Sequence, residues 1–173
     1  MNPKHEWFKL TRGVTIFLFI YYLALLGAST YLLILNLYSL KNLADSVLFT
    51  DSIFITIVTS ILGSTIFYVR KLYKACINLD IQSPISYEDK MRQVGVFFYF
   101  FLRPIFSAAF TIIVLIILKS GISILSSSKT LSPEFYYLSI VISFFIGFSC
   151  GDLIDKFEEL GKKIIIKVSD INI

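Results

Sequence analysis

The residues of this chain best suited to chemistry lie between positions 68 and 103, where Arg70, Lys71, Lys74, Arg92 and Arg103 are interleaved with Tyr68, Tyr73 and Tyr87. Guanidinium groups offer forked donors to phosphate, and tyrosine rings offer faces on which a base can stack. One reading of Arg70, Lys71, Tyr73, Lys74, Arg92 and Arg103 is therefore a nucleotide or oligonucleotide site. The other is charge that fixes membrane topology and touches lipid headgroups. Two further sets are spaced for one face of a helix. Thr56, Thr59, Ser60, Gly63 and Ser64 recur at intervals of three and four, and Ser139, Ser143, Gly147 and Gly151 recur at four throughout. Stripes of small and hydroxyl residues let helices approach closely, or they line a wet pathway. Packing, within a bundle or between subunits, is the preferred reading of both.

Other chemistry lacks its residues. The single histidine, His5, has no second imidazole to work with as acid, base or metal ligand. Cys76 and Cys150 stand apart with no CxxC spacing and read as reduced, inert thiols. There is no glycine-rich phosphate loop, nucleophile elbow or spaced ligand set. Asp152, Asp155, Glu158 and Glu159 crowd the start of a helical pattern, which suits capping and solvation. The chain is expected not to be an enzyme and to need no cofactor.

The elements that must position these residues are set by composition. Of the 173 residues, 56% are hydrophobic, 17 are Phe and 10 are Tyr, and the mean hydropathy is +0.78. Such values describe an integral membrane protein, with lipid as its first partner. The expected fold is all-α: four transmembrane helices at 14–38, 53–69, 104–125 and 135–151, followed by a cytoplasmic amphipathic helix over 152–173. A tail at 1–13, carrying Trp7 and Phe8, would anchor at the interface. Outer loops at 39–52 and 126–134 would connect the spans. The first apolar run is too long, and lacks the cleavage site, for a signal peptide.

The third span is the ambiguous one. Arg103 precedes Pro104 inside a long apolar run, so either Arg103 sits within the bilayer or Pro104 opens the helix at its first turn. The second is preferred. It leaves 94–102, with Phe97, Phe98, Tyr99, Phe100 and Phe101, as an aromatic ramp at the interface, the last part of a basic segment over 70–103.

Orientation follows from the basic residues. Three lie in the first tail, six between 70 and 103 and four after 152, which puts thirteen of the 16 on one side. The positive-inside rule makes that side, and both termini, cytoplasmic. The C-terminal stretch places Leu153, Ile154, Phe157, Leu160, Ile164, Ile165 and Val168 on one helical face, with Glu158–Lys162 and Glu159–Lys163 pairs on another. No polar stretch is long enough to fold as a sensor domain of its own.

The segments LGSTIFYVRKLY, FYFFLRPIFSAAFTIIVLIILKSGI and YYLSIVISFFIGFSCGDLIDKFEEL resemble small bacterial four-helix membrane proteins with a Leu-Arg-Pro helix entry, here Leu102-Arg103-Pro104. Proteins of that kind include pore-forming effectors of anti-phage defence, in CBASS-like and Hailong-type systems. The resemblance implies a homo-oligomer that forms a gated pore in, or disrupts, the bacterial inner membrane, controlled by a nucleotide or oligonucleotide that an operon partner enzyme makes or by a partner protein. The alternative is a non-conducting scaffold or accessory subunit of a larger membrane complex.

Overall fold

The structure, a computed structural model, describes residues 8–40, 49–125 and 133–171. Four long helices account for nearly all of them: α1 (Arg12–Leu40), α2 (Phe49–Ile77), α3 (Tyr87–Leu125) and α4 (Pro133–Ile171). Each contains a stretch long and apolar enough to cross a membrane, at Arg12–Tyr38, Ser52–Ile77, Tyr87–Gly121 and Phe135–Ile154. The chain thus has the makeup of a multi-pass membrane protein. Expectations placed on residues 1–7, with His5 and Trp7, and on the connections at 41–48 and 126–132 lie outside the described residues. So does the apolar face formed by Phe157, Leu160, Ile164, Ile165 and Val168, whose side chains are not described.

Helix α2 is the central one, packing on all three others and most extensively on α4; α2 and α4 run the same way, since Gly63 meets Phe144 and Phe67 meets Phe148. Two short strands, β1 (Phe8–Lys9) and β2 (Ile81–Gln82), pair in parallel just before α1 and just after α2. That pairing brings the first basic residues and the 70–92 segment to one end of the bundle, hereafter the basic end. Lys9 Nζ donates to Gln82 Oε1 at 3.1 Å and lies 3.6 Å from Asp89 Oδ2, and Gln93 Nε2 donates to Thr11 Oγ1 at 3.0 Å.

The ends of the helices follow from local chemistry. After α2 the Asp80 N–H reaches the Ala75 carbonyl at 2.9 Å and the Leu79 N–H the Cys76 carbonyl at 3.3 Å. These are the two bonds of a Schellman stop, with Leu79 held at φ 58° where glycine is usual. Ser86 caps α3: its Oγ accepts from the Asp89 N–H at 3.1 Å, while Asp89 Oδ2 accepts from the Ile85 N–H at 3.2 Å and faces the Ser86 N–H at 3.5 Å.

Two expectations need correction. First, Pro104 does not open the third helix; α3 starts at Tyr87 and carries Pro104 in its interior. A proline there deprives the carbonyl four residues back, Phe100, of its partner. The Tyr22 hydroxyl of α1 donates to that carbonyl at 2.5 Å, and the Tyr21 hydroxyl donates to the Phe101 carbonyl at 3.2 Å. With its freed acceptor supplied from another helix, the chain continues through the proline. The aromatic ramp is consequently part of α3. Phe101 stacks on Tyr21 at 4.8 Å, Phe97 lies 6.0 Å from Phe17, and Phe100 is buried with Leu10, Leu18, Tyr22, Tyr68 and Leu72. Second, the last span and the C-terminal amphipathic segment form one helix, because α4 runs unbroken through Gly151 and Gly161.

Candidate functional site

Three buried stripes, each stepping by four residues, meet at the centre of the bundle. On α2 they are Ser52, Thr56, Ser60, Ser64 and Tyr68; on α3, Arg103, Ser107 and Thr111; on α4, Ser139, Ser143 and Gly147, with Gly151 partly buried beyond them. A step of four keeps side chains on nearly one line of a helix, so α2 presents a continuous polar edge to its neighbours.

Glycines bring α2 and α4 into backbone contact. A Cβ on Gly147 would stand 2.0 Å from the Ser60 carbonyl oxygen, and one on Gly63 would stand 2.3 Å from the Phe144 oxygen. The α4 ladder is therefore seated on α2 of the same chain.

The hydroxyls along these stripes divide into two groups. Thr56 and Thr59 donate to the Ile53 and Ile55 carbonyls at 2.8 and 2.7 Å, Ser139 and Ser143 to Tyr136 and Ser139 at 2.7 and 2.6 Å, and Ser107 to Pro104 at 2.8 Å. These satisfy themselves on their own helix. In contrast, the side-chain oxygens of Ser52, Ser60, Ser64, Thr65, Tyr68 and Thr111, together with Arg103 Nη1, are buried without a hydrogen-bond partner among the described residues. Polar groups removed from water are normally paired, since an unmade bond costs about 1–3 kcal/mol.

Arg103 dominates the seam. Its residue is 8% exposed, and among the described residues it forms no ion pair. The guanidinium Cζ lies 4.3 Å from the centre of the Tyr99 ring and 5.7 Å from that of Tyr68, so π faces supply its attraction. The Cys150 thiol lies against it from α4.

The six basic and tyrosine residues expected to act together do not share one environment. Arg70, Lys74 and Arg92 are exposed, and Tyr73 is 41% exposed, at the basic end. Lys71 is half-buried and donates to the Tyr99 hydroxyl at 3.0 Å, while Arg103 stacks on the same ring from inside the bundle. Arg103 thus belongs to the internal seam rather than to the outer rim, because the unbroken α3 carries it inward past the basic end.

Sequence reasoning missed Thr65, Tyr99, Ser107 and Thr111 as members of the seam. The signal for two of them was present, since Arg103, Ser107 and Thr111 are spaced by four, like the two stripes already recognised. No family model, no curated protein and no solved structure matches this chain.

Proposed function

We propose that this chain is a gated, membrane-permeabilising effector that works as a homo-oligomer, with its polar seam wetted when α2 and α4 part. The observation that supports this most is the row of unpartnered buried polar atoms running from Ser52 to Arg103. In a purely structural core such groups are replaced by apolar ones at no loss, whereas a path for water or ions needs them. At Gly63 and Gly147 the backbones touch, which closes the seam at that level.

The basic end would face the cytoplasm of a bacterial inner membrane. Its exposed Arg70, Lys74 and Arg92 would receive an anionic signal, a nucleotide or oligonucleotide made by a partner enzyme, as the resemblance to anti-phage effectors implies. The same glycine contacts favour a second reading, a non-conducting scaffold whose seam never opens.

The isosteric pair Thr65→Val and Thr111→Val separates the two. Both residues are buried, and their hydroxyls bond nothing among the described residues. Under the proposed function the double variant folds at least as stably as the parent, yet induced expression no longer collapses the membrane potential that the parent collapses with its operon partner. A parent that leaves the potential unchanged in both contexts refutes permeabilisation.

A further inference from the structure

The segment that leads into α1 is fastened to the far side of the basic end by contacts that span more than seventy residues of chain. Phe8 and Lys9 face Ile81 and Gln82 in register, and the Leu10 N–H donates to the Gln82 carbonyl at 3.0 Å. Leu10 is 1% exposed and joins Leu18, Tyr22, Tyr68, Leu72 and Phe100 in one buried cluster. Tyr68 is the member of the α2 polar edge nearest the basic end, so Leu10 packs at that end of the seam. A pair of two-residue strands is a weak tie by itself. The rest of the hold is polar. The Lys9 ammonium donates to Gln82 Oε1 at 3.1 Å and pairs with Asp89 Oδ2 at 3.6 Å, the two charged side chains being 16% and 22% exposed. Asp89 Oδ2 is the same oxygen that accepts the Ile85 N–H before α3, and Gln93 of α3 donates to Thr11. A short segment held by so few bonds opens locally, at far less cost than the whole bundle.

We propose that residues 8–11 form a releasable strap over the basic end, with Leu10 as its plug and the Lys9–Asp89 pair as its latch. Release lifts Leu10 out of the cluster and uncovers the Tyr68 end of the seam while the four helices stay packed. It also frees the Lys9 ammonium to join the exposed Arg70, Lys74 and Arg92 of the same end. The strap is a property of the bundle whether or not the seam conducts.

The test is hydrogen exchange in the full chain, purified in detergent. The Leu10 amide, bonded to Gln82, exchanges only when the strap lifts; the Leu18 amide, inside α1, serves as the reference for opening of the bundle itself. Rates are corrected for the intrinsic rate of each sequence. Lys9→Gln, which removes the charge of the latch, is expected to speed exchange at Leu10 about threefold and to leave Leu18 unchanged. High salt should do the same to the parent and add little in the variant, because it screens the pair. Lys9→Cys joined to Gln82→Cys by a disulfide, with Cys76 and Cys150 changed to serine, is expected to slow Leu10 below the parent until the bond is reduced. Acceleration of Leu10 and Leu18 together would make the pair a support of the whole fold and overturn the strap. So would exchange at Leu10 that is indifferent to both Lys9→Gln and the cross-link.

Discussion

Replacing Gly147 with alanine tests the closeness of α2 and α4 with a single methyl group. That methyl would stand 2.0 Å from the Ser60 carbonyl oxygen and 2.8 Å from its carbon, and ordinary contact begins at 3.4 Å. The obstruction is backbone, so no rotamer change relieves it, and the helices must separate by more than 1 Å. Overpacking of this kind costs about 1–3 kcal/mol when side chains can shift. A backbone obstruction puts Gly147→Ala at or above the upper end, even after alanine's helical advantage of about 1 kcal/mol. Gly27 on α1 supplies the control, because a Cβ there meets nothing within 4 Å. Gly27→Ala should be neutral or stabilising by up to about 1 kcal/mol. At about 2–4 °C per kcal/mol for a chain of this size, a gap of about 3 kcal/mol puts the two midpoints about 6–12 °C apart. Thermal unfolding of both variants in the same detergent measures that gap. Coincident midpoints would refute the claimed backbone contact, and with it the view that the seam is shut at this level.

Other outcomes follow from the same geometry. Tyr22→Phe removes the hydroxyl that donates to the Phe100 carbonyl and should destabilise by about 1–3 kcal/mol. In a Pro104→Ala background residue 104 regains an N–H that can reach that carbonyl, so the penalty should fall below about 0.5 kcal/mol, and additive effects in this double-mutant cycle would contradict the assignment. Leu79→Gly relieves a left-handed backbone at φ 58° while losing a side chain that is 78% exposed; a rise in stability of about 1 kcal/mol by the same unfolding assay is expected.

That the chain has four helices long and apolar enough to span a membrane was legible because apolar length is a property of local sequence. The path of α3 was not. A Leu-Arg-Pro triplet reads as a helix start as long as the carbonyl freed by Pro104 has no donor, and the donor is Tyr22, 78 residues away in the chain. The spacing of Ser139, Ser143, Gly147 and Gly151 announced a contact face, but only the fold shows that α2 covers it. Which hydroxyls stay unpaired was also hidden: Thr59 bonds back to Ile55 while Ser60 beside it does not, a matter of rotamer and neighbours that spacing cannot encode. Among the basic residues, charge was plain from the letters. Lys71 and Arg103 converge on Tyr99 only because α2 and α3 pack side by side.

The claim on which the functional account rests is that water enters the seam, and thiol trapping tests it most directly. Modification by a small water-soluble thiol reagent is irreversible, so it accumulates even when openings are rare. Single cysteines would replace Ser60, Ser64 and Thr111 in a chain with Cys76 and Cys150 changed to serine, with Leu18→Cys as a control that is equally buried but lies in the hydrophobic cluster. Labelled in cell membranes, the three seam positions are expected to react steadily while position 18 stays inert. Seam cysteines as unreactive as the one at position 18 would contradict the account.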